Sequence, residues 1–238
     1  MTRTELLYAL AAAVANLLGA LTVTTGARWG LRALNLMLAF AAGFLICVAF
    51  VELFPQALRQ TGEQAAVVAL AGYLLVHLTQ HTIAKHFHFG EETHAITRVV
   101  SMSALIGLLL HTFVDGVAVA SGVRVGQTFG LLVFLAVALH KLPEGLAISS
   151  LFMAAGAGKR AALAAAGMLG MATIAGVFVT GYVGPLARHG LALSAGVTLY
   201  VGASNLVPEL QDSPGWRVPA SFFVGCAAYF AARYATGG

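Results

Sequence analysis

His111-Thr-Phe-Val-Asp115-Gly-Val-Ala-Val-Ala-Ser121 aligns without a gap on His140-Lys-Leu-Pro-Glu144-Gly-Leu-Ala-Ile-Ser-Ser150. His, Gly, Ala and the final Ser coincide, and in each segment an acid stands four residues after the His. The two segments lie in consecutive apolar runs, near 97–123 and 128–153, so a helix spanning each run would point the opposite way to its neighbour. Six further apolar runs, near 5–25, 33–58, 63–85, 159–183, 190–210 and 216–235, are each about long enough to cross a hydrocarbon core of about 30 Å. A second repeat relates the second run to the seventh. Leu38 to Pro55 aligns on Leu191 to Pro208 with seven identities in eighteen positions, among them Gly43/Gly196, Val48/Val201 and Pro55/Pro208. Helices two and seven also run in opposite directions, so both repeats are inverted, an architecture that in transporters places the substrate site near the midplane. The expected fold is an all-α integral membrane protein of about eight transmembrane helices arranged 3+2+3, forming one domain over residues 1–238.

Composition agrees with lipid as the surrounding medium. The 238 residues are 59% hydrophobic and 9% charged, with a mean hydropathy of +0.87, which does not describe a soluble surface. The formal charge of +4 is spread singly over connections and gives no nucleic-acid patch. Lys and Arg near the span ends number five on the side of the amino terminus and seven on the other. That bias puts both termini outside and the connection after the third helix inside. The first run could pass for a signal peptide, but Glu5 dilutes its positive end and further spans follow, so it is taken as the first span. The simplest expected location is a plasma or bacterial inner membrane; a homodimer is left open. Cys47 and Cys226 both sit inside apolar runs, where a free thiol behaves as a small hydrophobe.

The repeated His and acid carry the chemistry. Residues four apart share one face of a helix, so His111 with Asp115 and His140 with Glu144 each present an imidazole and a carboxylate together. An ionised side chain at midspan costs at least about 2.5–3.5 kcal/mol, and such residues ordinarily mark a function. Two imidazoles and two carboxylates form a roughly tetrahedral set that suits Zn2+ and tolerates Fe2+, Co2+, Mn2+ or Cd2+. The structural alternative is a pair of His–carboxylate hydrogen bonds that only hold helices together. Pro143 should kink the fifth helix beside Glu144, and Gly116 and Gly145 are expected to let helices four and five approach closely.

His-Thr-Phe-Val-Asp-Gly and His-Lys-Leu-Pro-Glu-Gly, with about eight spans and a His-bearing connection after the third, resemble the ZIP family of divalent-metal transporters. The resemblance covers nearly the whole chain. It implies that His111, Asp115, His140 and Glu144 are the primary metal ligands and that metal flows downhill into the cytosol. Two departures stand out. Many members have Asn directly after the fourth-helix His and an acid directly after the fifth-helix His, which help to hold a second ion; here those positions are Thr112 and Lys141. The carboxylate that members often supply from the sixth helix is also missing, since no Asp or Glu stands between Glu144 and Glu209. The second site is therefore expected to be dismantled, with the Lys141 ammonium standing in for the second cation. The alternative has Lys141 pointing to water.

Other polar residues say less. His77, His81 and Lys85 recur at intervals of four and lead to His86, His88 and His94 in the connection 86–97, which resembles the family's His-bearing cytosolic loop. Such a loop either collects metal or is simply solvated. Glu52 and Glu209 lie near the matched prolines and are placed either to line opposite mouths of a pathway or to form ordinary hydrogen bonds. Rival functions are an intramembrane zinc-dependent hydrolase and a metal-binding membrane sensor without flux. The hydrolase lacks an HExxH motif and a separate base, so no enzyme activity and no catalytic cofactor are expected.

Overall fold

The computed structural model describes residues 2–26, 31–79, 98–208 and 215–236. These form eight helices and no strand. They are α1 (Arg3–Thr24), α2 (Leu31–Cys47), α3 (Gln64–Leu78), α4 (Arg98–Val125), α5 (Gln127–Ala154), α6 (Gly158–Tyr182), α7 (Gly184–Leu199) and α8 (Arg217–Ala235). Helix α2 continues through a π-helical stretch, Val48–Leu53, into Phe54–Thr61, and α7 continues through a π-helical stretch at Tyr200–Leu206. Five of the eight are long and apolar enough to cross a membrane: α1, α2 with its continuation, α4, α5 and α6. Helix α3 is apolar but shorter within the described residues. Helices α7 and α8, expected as spans, carry Arg188, Arg217 and Arg233 and several hydroxyls, which lower their apolar content. His81, Lys85, His86, His88, His94 and Glu209 lie outside the described residues.

The helices sort into two groups. In one, α1 packs on α5 and α6, and α4 on α5 and α6; in the other, α2 packs on α8 and α3 on α7. Glycines set the closest approaches. A Cβ added to Gly43 of α2 would lie 2.1 Å from the carbonyl oxygen of Phe222 in α8, and one added to Gly196 of α7 would lie 1.7 Å from that of Ala69 in α3. Gly72 of α3 and Gly225 of α8 complete the same two crossings, against Leu193 and Phe40. All four contacts interchange when 153 is added to one residue number, the offset of the Leu38/Leu191 repeat. Packing thus extends that repeat from α2/α7 to α3/α8.

A third equivalence has too few identities to be seen in the sequence. Gly19 of α1 packs on the Leu142 carbonyl of α5, and Gly176 of α6 on the Phe113 carbonyl of α4. Gly116 of α4 and Gly145 of α5 do not face each other, as the sequence led one to expect. Gly116 lies against the Thr173 carbonyl of α6, and Gly145 against the Asn16 carbonyl of α1. A missing Cβ shows only that some backbone comes close, and here that backbone belongs to the outer helices. The pairs α1/α6, α2/α7, α3/α8 and α4/α5 complete the inverted 3+2+3 plan.

The two π-helical stretches occupy equivalent places and each ends two residues before a proline, Pro55 or Pro208. Proline lacks the N–H for the preceding turn and its ring crowds the carbonyl four residues back, so a widened turn relieves the conflict. Polar clamps then fix helix ends. The Thr2–Glu5 capping box starts α1; Arg124 of α4 reaches Glu5 (Nε–Oε1 3.2 Å) and donates from Nη1 to the Thr180 carbonyl of α6 (3.1 Å). The start of α1 and the ends of α4 and α6 therefore share one face of the bundle, as alternating spans require.

Candidate metal centre

His111 and His140 each stand midway along a 28-residue helix. One turn later come Asp115 and Glu144, and α4 and α5 bring both pairs to one point. His111, Asp115, His140 and Glu144 each offer a ligand atom, and all four atoms lie within 4.8 Å of one another. All four residues are buried, with at most 7% of their surface exposed. Asp115 Oδ2 is the hub, 3.3 Å from His111 Nε2 and 3.2 Å from His140 Nε2. Glu144 Oε2 closes the group at 3.9 Å from His140 Nε2. The two imidazole rings are tilted, with centroids 5.4 Å apart.

The backbone fixes one tautomer. His140 Nδ1 lies 2.9 Å from the Ala136 carbonyl, which can only accept, so Nδ1 carries the proton. Nε2 of the ring is thereby aimed at the Asp115 carboxylate, 3.2 Å away. Orienting a ligand ring through its far nitrogen is how metal-binding histidines are ordinarily held.

Lys141 supplies positive charge from inside. Its side chain is fully buried, and Nζ lies 2.6 Å from Asp115 Oδ2 and 2.6 Å from Glu144 Oε2. It also donates to Thr112 Oγ1 at 3.2 Å, while Thr112 donates to Glu144 Oε1 at 2.6 Å. The water-facing alternative for Lys141 is therefore wrong: the ammonium bridges the two carboxylates. Helix α5 runs unbroken through Pro143. The sixth helix contributes Thr173 at the Gly116 contact, fully buried, its hydroxyl donating to the Leu169 carbonyl (3.4 Å).

Glu52 is tied to α8 by Tyr229 Oη, which donates to Oε1 at 2.7 Å, and by Arg233 Nε at 3.4 Å. Sequence reading missed Asn16 and Thr173, which flank the centre from α1 and α6. The Gly19/Gly176 pair was the signal, unreadable until the partner of each glycine is known.

The ZIP Zinc transporter family model matches residues 77–231. Zinc transporter ZupT of Enterobacter sp. (strain 638) is 30% identical over 225 residues, covering 87% of this chain and 86% of that protein. Zinc transporter ZIP9-B of Xenopus laevis is 29% identical over 158 residues, 60% of this chain and 52% of that protein. Human Zinc transporter ZIP6 is 29% identical over 136 residues, 55% of this chain and 18% of that protein. The chain thus spans about half or less of the two eukaryotic relatives and most of the bacterial one. With the family model matched over more than half of its length and a bacterial relative aligned almost end to end, the chain belongs to the ZIP zinc transporter family.

Proposed function

We propose that this protein moves divalent metal ions, Zn2+ foremost, through a bilayer by alternating access, binding one ion at a time between His111, Asp115, His140 and Glu144. The observation that carries this reading is the convergence of two imidazoles and two carboxylates at midhelix, buried and within 4.8 Å of one another. Family membership and relatives named as zinc transporters support it. The same donor set accepts Cd2+, Fe2+, Mn2+ or Co2+, so preference among them rests on competition.

Lys141 and Thr112 hold the place of a second ion. The ammonium neutralises one of the two carboxylates when metal is absent, and an arriving 2+ ion shares both carboxylates with it. Helices α1, α4, α5 and α6 form one packed group that carries the centre, and the other four helices form the wall beside which it is exposed in turn to either side. The inferred setting is a plasma or bacterial inner membrane, with both termini outside and the 86–97 connection inside. Zinc uptake by reconstituted vesicles tests the reading. Wild-type flux that disappears in His140→Ala supports transport, whereas tight binding without flux makes the protein a sensor.

A further inference from the structure

Asn16 is the only amide side chain in α1, a helix otherwise composed almost wholly of apolar residues. It is fully buried, and neither its Nδ2 nor its Oδ1 has a hydrogen-bond partner among the described residues. Among the described residues no other side chain has two buried polar atoms without a partner. Leucine would fill such a place without that penalty.

Its place in the fold is specific. The Asn16 carbonyl lies over Gly145, the residue after Glu144, as the Thr173 carbonyl of α6 lies over Gly116, the residue after Asp115. The inverted repeat therefore makes Asn16 and Thr173 equivalents, one flanking each half of the centre. Thr173 is satisfied by its own helix through the Leu169 carbonyl; Asn16 is not. Two further polar atoms without a partner among the described residues, His111 Nδ1 and Ser121 Oγ of α4, are buried in the same four-helix group.

We propose that Asn16 is a further metal-binding residue, its amide oxygen joining the coordination of the ion from α1 while that ion passes the α4/α5 centre. The inference rests on the single-ion reading above. A neutral amide oxygen adds a ligand without adding charge, which suits a site whose carboxylates are already shared with Lys141. It is also a hard donor, favouring Zn2+ or Mn2+ over the softer Cd2+.

The test is zinc and cadmium uptake by vesicles containing wild type, Asn16→Leu, Asn16→Asp and His140→Ala, with thermal unfolding of each purified protein with and without zinc. Asn16→Leu is expected to unfold at or above the wild-type temperature without metal, yet to raise the zinc KM about tenfold, shrink the zinc-induced stabilisation and lower the zinc-to-cadmium ratio. Asn16→Asp, which keeps the oxygen, is expected to hold the KM at or below wild type. A role confined to packing would leave the KM and the metal ratio of Asn16→Leu unchanged, and that result overturns the proposal. So does an Asn16→Asp variant that folds but has a KM raised as far as that of Asn16→Leu. Loss of flux in His140→Ala with wild-type behaviour in Asn16→Leu removes Asn16 alone, whereas flux surviving in His140→Ala removes the single-ion reading and this inference with it.

Discussion

Replacing Lys141 by Met keeps an unbranched stem and deletes the ammonium. Lys141 Nζ lies 2.6 Å from both Asp115 Oδ2 and Glu144 Oε2, and the side chain is fully buried. Without it the two carboxylates stand in a buried centre beside Thr112 and the two histidines, with no other cationic side chain against them among the described residues. Breaking a buried ion pair by removing one partner costs about 3–5 kcal/mol. For a chain of this size that corresponds to a fall in unfolding temperature of about 6–20 °C. The divalent ion should reverse the order. With Lys141 present, Asp115 and Glu144 carry two negative charges against one positive, so an arriving 2+ ion must share both carboxylates with the ammonium and is repelled by it. Lys141→Met removes that competitor, and zinc affinity is expected to rise at least about tenfold, equivalent to about 1.4 kcal/mol. The assay is thermal unfolding in detergent across a zinc titration, since a ligand bound only by the folded state stabilises it in proportion to the logarithm of its saturation. The variant should start below wild type and gain more from zinc. A metal-free Lys141→Met protein as stable as wild type, or one whose zinc affinity falls, would refute the electrostatic account. Two zinc ions per chain with Lys141 intact would refute the substitution of ammonium for ion.

Three other outcomes follow from the same geometry. Gly145→Ala places a Cβ about 2.0 Å from the Asn16 carbonyl, so α1 must shift; overpacking of this kind costs about 1–3 kcal/mol or more and should appear as a lowered unfolding temperature, whereas Gly126→Ala, with open space around it, should not. Glu52→Ala leaves the fully buried Tyr229 hydroxyl without its acceptor, a loss of about 1–3 kcal/mol; an unchanged zinc KM would assign Glu52 to holding α2 on α8, and a raised one to the pathway. Zinc binding is expected to weaken on acidification, because protons compete with the ion for the histidine and carboxylate ligands; binding measured by calorimetry that strengthens as pH falls would contradict this ligand set.

The sequence led directly to the four-residue centre and less directly to its surroundings. A His and an acid four residues apart must share a helix face, and the same pattern on two neighbouring helices leaves few other ways to bury four polar groups, so His111, Asp115, His140 and Glu144 could be grouped before any coordinates. Lys141 could be singled out by type but not by direction, since whether a lysine stem turns inward depends on the carboxylates waiting across the helix seam. Gly116 and Gly145 were read as α4/α5 contacts because their neighbours are invisible in one dimension; they pack on α6 and α1. Helix α1 matches α6 at Gly19/Gly176, at Arg3/Arg160 and at Leu6/Leu163, Ala9/Ala166 and Ala15/Ala172, and so few identities, mostly among small apolar residues, do not stand out from composition. The π-helical stretches had a signal in Pro55 and Pro208, which predict a disturbed turn but not whether it widens or breaks.

The most direct measurement is zinc uptake into vesicles by Asp115→Asn beside wild type. Asp115 Oδ2 contacts both histidines and Lys141, and the amide preserves its shape while removing its charge. The account predicts a folded, helical protein whose zinc flux is reduced by at least two orders of magnitude, since the ion loses the carboxylate that both histidines and Lys141 share. Flux at the wild-type rate and KM in a correctly inserted Asp115→Asn protein would show that the ion crosses the membrane elsewhere.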